Sequence, residues 1–167
     1  MRRLLIATVV GLAVALSAFA QTASAPPDFS GRWALNFAKS KLGILNMLRS
    51  QTIIITGSRK LVLFRETSTY FTVTSESQTT FTTTNESQTA ETYIPDGQEH
   101  IYNPDARLQY FTKAEWRNSA LFTEWGLHDS AAPGADRWNN HKERWTLSAD
   151  GNTLTRDTGE RYVYDKR

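Results

Sequence analysis

From Asp28 onward, apolar side chains fall on alternate positions. Phe29, Gly31, Trp33, Leu35 and Phe37 are separated by Ser30, Arg32, Ala34 and Asn36, and a period of two gives a half-buried strand with one apolar face. The period then changes. Leu42, Leu45 and Leu48, with Ile44 and Met47, recur at helical spacing, which predicts a short helix from Leu42 to Leu48. Thr52-Ile53-Ile54-Ile55-Thr56 and Leu61-Val62-Leu63-Phe64 follow as β-branched or apolar runs on either side of Gly57-Ser58-Arg59-Lys60. They predict a hairpin, with Gly57 supplying the turn.

Thr67 to Thr92 is dominated by Thr and Ser, and Ser-Glu-Ser-Gln-Thr at Ser75 is echoed by Asn-Glu-Ser-Gln-Thr at Asn85. Thr is β-branched and suits a pleated surface, and Tyr70, Phe71, Val73, Phe81 and Tyr93 give the segment something to bury. Two weak strands are therefore expected rather than a low-complexity stalk. Pro95-Asp96-Gly97 and Asn103-Pro104-Asp105 are turn signals bracketing a short piece at Gln98 to Tyr102. Beyond them Leu108, Tyr110, Thr112, Ala114 and Trp116 alternate with Arg107, Gln109, Phe111, Lys113 and Glu115, and Leu121, Thr123, Trp125 and Leu127 repeat the pattern after Arg117-Asn118. Glu143 to Leu147, the Asp150-Gly151 turn, Thr153 to Thr155 and Glu160 to Tyr164 complete the chain. About nine short strands without crossover helices pair with their sequence neighbours, and closure removes exposed edges. The expectation is an all-β fold: one antiparallel up-and-down β-barrel of about 8–10 strands with one short helix after the first.

The first twenty residues follow a different logic. Arg2 and Arg3 precede an apolar run from Leu4 to Leu16, and Ala18-Phe19-Ala20 precedes Gln21. A basic start, an apolar stretch too short to span a bilayer and an Ala-x-Ala exit mark a cleaved export signal helix. This divides the chain into a signal at 1–20, a flexible tail at 21–27 ending in Pro26-Pro27, and a domain at 28–167. The expected location is the periplasm or the medium outside the cell.

Composition sharpens that picture. Cleavage would leave 17 basic residues against 17 Asp plus Glu, since Arg2 and Arg3 are two of the 19 Lys and Arg. The remaining charges are interspersed, which argues against a nucleic-acid partner. The chain contains no cysteine, which excludes disulfides, thiol catalysis and a lipidated cysteine. No second apolar segment is long enough to serve as a membrane anchor after cleavage.

The run Asp28-Phe29-Ser30-Gly31-Arg32-Trp33-Ala34-Leu35 resembles the Gly-x-Trp opening strand of the calycins, the lipocalins and fatty-acid-binding proteins. With Trp145-Thr146-Leu147-Ser148-Ala149-Asp150-Gly151 it also resembles exported bacterial lipocalin-like proteins. The resemblance implies that Gly31 and Trp33 form the barrel floor, with Trp33 under an arginine from the last strands, Arg161 or Arg156. It also implies that Leu42 to Leu48 caps the mouth. The Arg-x-Tyr pair that holds a carboxylate in fatty-acid-binding proteins has no counterpart, because Arg161-Tyr162-Val163-Tyr164 puts Arg161 on the face of Val163.

Phe64, Tyr110, Trp125 and Trp145 are the candidate contacts for a small hydrophobic molecule held inside the barrel. Trp116 and Trp138 belong to the same aromatic set. The competing reading is that these rings simply fill a core. His100, His128 and His141 lack metal-ligand spacing, no phosphate-binding loop is present, and nothing matches Gly-x-Ser-x-Gly. No cofactor, metal or catalytic residue is assigned. Three functions remain in order: a non-enzymatic ligand-binding barrel, a solid barrel acting as an envelope interaction or structural module, and a small hydrolase.

Overall fold

Ten strands form a single antiparallel sheet, and the chain visits them almost entirely in order. The computed structural model describes residues 25–43, 47–76, 79–131 and 138–167, with 71–76, 79–83 and 138–139 given as backbone. The strands are β1 (Gly31–Leu35), β2 (Leu48–Ser58), β3 (Leu61–Glu76), β4 (Thr79–Tyr93), β5 (Asp96–Ile101), β6 (Leu108–Arg117), β7 (Ala120–Asp129), β8 (Trp138–Leu147), β9 (Thr153–Asp157) and β10 (Arg161–Lys166). The sheet order is β4-β3-β2-β1-β10-β9-β8-β7-β6-β5. Every consecutive pair is laddered except β4 with β5, and β1 pairs β10, with Trp33 opposite Lys166.

The missing pair corrects the expected barrel: the sheet is not closed by backbone pairing. Only Ile94 and Pro95 separate its two edges along the chain, so the sheet curls until those edges face each other. The seam is bridged by side chains. The Tyr102 hydroxyl donates to the Thr92 carbonyl at 2.9 Å, and the Thr112 hydroxyl approaches the same oxygen at 3.4 Å. Thr92's acceptor is therefore satisfied by hydroxyls where a ladder would have supplied an N–H. Pro95, at the corner, has no N–H to offer.

Other differences from the sequence reading are local. Among the described residues there is no helix. Of the predicted helix over Leu42 to Leu48, residues 44–46 lie outside the described residues, Lys41 forms an isolated bridge with Arg161, and Leu48 opens β2. The signal at 1–20 also lies outside them. The Thr-rich segment is strand, as two long arms pairing from Val62↔Tyr93 to Glu76↔Thr79. The β2–β3 turn is made by Arg59 and Lys60, since Ser58 pairs with Leu61. Gly57 lies one step inside the ladder with φ at 135°, where an added Cβ would sit 2.1 Å from the Leu61 carbonyl oxygen.

The concave face holds the core. Trp33, Ile53, Ile55, Leu121, Leu154 and Tyr164 are almost wholly buried there, and each large apolar side chain removed from water contributes about 1.5–3 kcal/mol. Trp33 is 0% exposed, and its indole N–H donates to the Phe29 carbonyl at 2.9 Å. Alternation thus places the opening apolar face inward as far as Leu35; Phe37, beyond the strand, is exposed.

Candidate functional site

Two hollows are worth comparing. The larger, about 310 Å³, lies at the end of the sheet between Pro26–Ser30, the β2–β3 turn and Trp116. Its Asp28 carboxylate already accepts from the Ser30 backbone N–H at 2.9 Å. The second, about 190 Å³, lies on the concave face between β3, β4, β7, β8 and β9. It combines ring walls with charged groups, which is the character of a small-molecule site.

Phe64, Tyr93, Trp125 and Trp145 supply its walls. Cross-strand packing holds them: Phe64 meets Tyr93 edge-on at 5.7 Å between centroids and Trp145 at 4.7 Å, and Trp125 stacks on His141 at 4.1 Å. Tyr110 stands next to this wall, 6.3 Å from Trp125, and donates its hydroxyl to Glu91, a residue of the cavity. The four aromatic residues singled out from sequence are therefore brought to one place. Strand parity explains this, because each lies on the inward set of its strand, and the curl of the sheet brings β3, β6, β7 and β8 within reach.

The charged residues of the site carried no signal in the sequence. Glu66 lies on β3, Glu91 on β4, Glu143 on β8 and Arg156 on β9; Glu66, Glu91 and Glu143 each stand two residues along the strand from an aromatic residue of the wall, Phe64, Tyr93 and Trp145. Arg156 is opposite Trp145 across β8–β9 and opposite Tyr162 across β9–β10. Its guanidinium sits 5.2 Å from the Trp145 ring and 5.6 Å from the Tyr162 ring. One terminal nitrogen reaches Glu66 at 3.0 Å and the other donates to Glu143. Glu143 also accepts from the Trp145 indole at 3.1 Å. Glu66 accepts from Gln51 at 2.6 Å and from Ser68 at 2.9 Å, and Tyr164 donates to Gln51. The network ties five strands to one interior cation.

The electrostatics follow from burial. Burial pushes the Glu91 carboxyl above the ordinary glutamate range; the Tyr110 hydrogen bond pulls it back in part, and the nearby Glu143 charge pushes it further up. Burial likewise raises the Tyr110 and Tyr93 phenols well above their usual value, so both stay neutral, and Tyr110 donates to Glu91. Burial by itself would lower the Arg156 guanidinium; Glu143 and the other anionic neighbours outweigh it and keep the group charged. Its Nε is the one buried side-chain nitrogen or oxygen among the described residues without a hydrogen-bond partner.

The remaining candidate positions lie elsewhere. Arg161 is exposed and meets Lys41 through the backbone; the cation over the Trp33 ring is Lys166, at 5.4 Å. Gly31 has φ at 144°, and an added Cβ would lie 3.3 Å from the Lys166 side chain, so the glycine leaves room for that cation beside the indole. Trp116 packs edge-on against Phe29 at 5.3 Å, at the end of the sheet away from Arg156. The side chain of Trp138 lies outside the described residues. His100 pairs with Asp96 and His128 with Gln109, at separate places on the sheet. No protein-family model matches the chain, and no curated protein matches it.

Proposed function

We propose that this is an exported, non-enzymatic binding protein that holds one small, largely apolar molecule in the ring-walled hollow of its curled sheet. The observation that carries the reading is the convergence of Phe64, Tyr93, Trp125 and Trp145 on a space of about 190 Å³ beside a buried guanidinium whose Nε–H has no acceptor. The volume suits a molecule near benzene in size, for which a cavity of roughly 150 Å³ suffices. The sheet is not closed into a barrel, and on this reading the ligand lies against its curled concave face.

Export rests on the Arg2-Arg3 start, the apolar run and Ala18-Phe19-Ala20. Intact-mass measurement of the protein from the periplasm or medium is expected to give a chain beginning at Gln21. Native mass spectrometry of the same material tests binding: a co-purifying small molecule, released on denaturation, is the expected result. A retained protein in its place would favour the second reading, an envelope interaction module. That reading draws on β3 and β4, whose pairing continues past the last β2 partner at Tyr70 and leaves an overhanging hairpin open to strand addition.

A further inference from the structure

The hollow carries a definite charge preference, a conclusion that rests on reading it as a binding site. Three carboxyl groups, Glu66, Glu91 and Glu143, line it against the single guanidinium of Arg156, so the formal sum is 3 negative charges less 1, or −2. Protonating Glu91 brings the sum only to −1. Both terminal nitrogens of Arg156 are already engaged, by Glu66 at 3.0 Å and by Glu143. An anionic head group would therefore find the one interior cation neutralised twice over and would face carboxylates nearby. Four aromatic residues, Phe64, Tyr93, Trp125 and Trp145, line the same space, and an aromatic ring attracts a cation that reaches its face. Glu66 and Glu143 both pair with Arg156, whereas the hydrogen bond to Glu91 comes from a neutral group, the Tyr110 hydroxyl.

We infer that the occupant is a small organic cation, an ammonium on a compact apolar body, whose charge meets Glu91 and whose body lies among the rings. The aromatic wall attracts the cation, Glu91 receives its N–H groups, and the apolar body displaces water from the cavity. A carboxylate of the same shape is rejected and a neutral alcohol is tolerated.

The test is isothermal titration calorimetry of the purified protein with three probes of similar shape: 2-phenylethylamine, 2-phenylethanol and 3-phenylpropanoate. The amine is expected to bind about tenfold or more tighter than the alcohol, the gain that cation–π and charge-assisted contacts supply in a desolvated site, and the carboxylate weakest of all. Glu91→Gln keeps an acceptor for Tyr110; it is expected to weaken the amine about tenfold relative to the alcohol. Equal affinity for amine and carboxylate, or an amine affinity unmoved by Glu91→Gln, would overturn the cation while leaving the binding site standing. If none of the three binds, the site itself is refuted. Should Glu91→Gln fail to fold, the ranking of the three probes on the unaltered protein decides alone.

Discussion

The Tyr110 hydroxyl donates a hydrogen bond to the Glu91 carboxylate across the seam where β4 and β6 face each other without a ladder. The two residues are 19 positions apart and belong to strands that no backbone pairing joins. One side-chain contact thus links edge strand β4 to β6, the strand beside the opposite edge, and Glu91 forms part of the wall of the hollow. It also places a half-buried carboxyl where its ionisation matters to folding.

That ionisation sets the first expectation. A carboxyl whose folded value is raised adds stability that is complete below its unfolded value, about 4.3 for glutamate, and that is lost as pH rises through the folded value. Glu91 is in this class, with burial as the main cause. Exposed acids such as Asp165, held low by the hydrogen bonds from Lys39 and Asn36, act in the opposite sense. The difference in melting temperature between the unaltered protein and Glu91→Gln isolates the first effect from the second. It is expected to shrink as pH rises above the unfolded value, about 4.3; a constant difference would show that Glu91 is not raised by the fold.

Arg156 is expected to be the most costly charged side chain to remove. Arg156→Met leaves Glu66 and Glu143 buried without their cation, and breaking one side of a buried pair costs roughly 3–5 kcal/mol. Adding Glu66→Gln and Glu143→Gln to that variant is expected to restore part of the loss. Chemical denaturation of the single and triple variants measures both, and no recovery in the triple variant would assign the loss to packing on Trp145 and Tyr162.

Trp125 is half-buried, stacks on His141 and lines the hollow. Trp125→Ala is expected to weaken uptake of a small hydrophobic fluorescent probe about fivefold or more, since an aromatic contact contributes about 0.5–1.5 kcal/mol beyond its buried area. The fold is expected to survive, because the near-completely buried core lies elsewhere. Fluorescence titration gives the first result and circular dichroism the second.

Gly57 is a purely conformational position. Gly57→Ala forces a side chain into φ at 135° and sets its Cβ 2.1 Å from the Leu61 carbonyl oxygen. The expected loss exceeds about 1 kcal/mol, more than the entropic gain that a glycine-to-alanine change brings at a compatible site. Equal denaturation midpoints for the two proteins would refute it.

The strands were legible because a period of two is written residue by residue. Phe29, Trp33 and Leu35 declare an inward face without reference to any other part of the chain, and the same parity places Phe64, Trp125 and Trp145 inward. The tight turn at Asp150-Gly151 was equally local: Asp150 accepts from the Asn152 backbone N–H, and Gly151 adopts φ at 71°. Arg156 was not legible as an interior cation. A lone arginine in Thr-Leu-Thr-Arg-Asp resembles a solvated residue, and its burial depends on Glu66 and Glu143, which lie 90 and 13 positions away.

Alternation, turn residues and strand-forming composition were thus decided by the sequence alone, because each depends on neighbours within a few residues. The curl of the sheet decided the rest. It left β4 and β5 unladdered at a corner containing proline, and it brought three distant carboxyl groups around one guanidinium. Those encounters depend on how far apart strands meet in space, which no local pattern records.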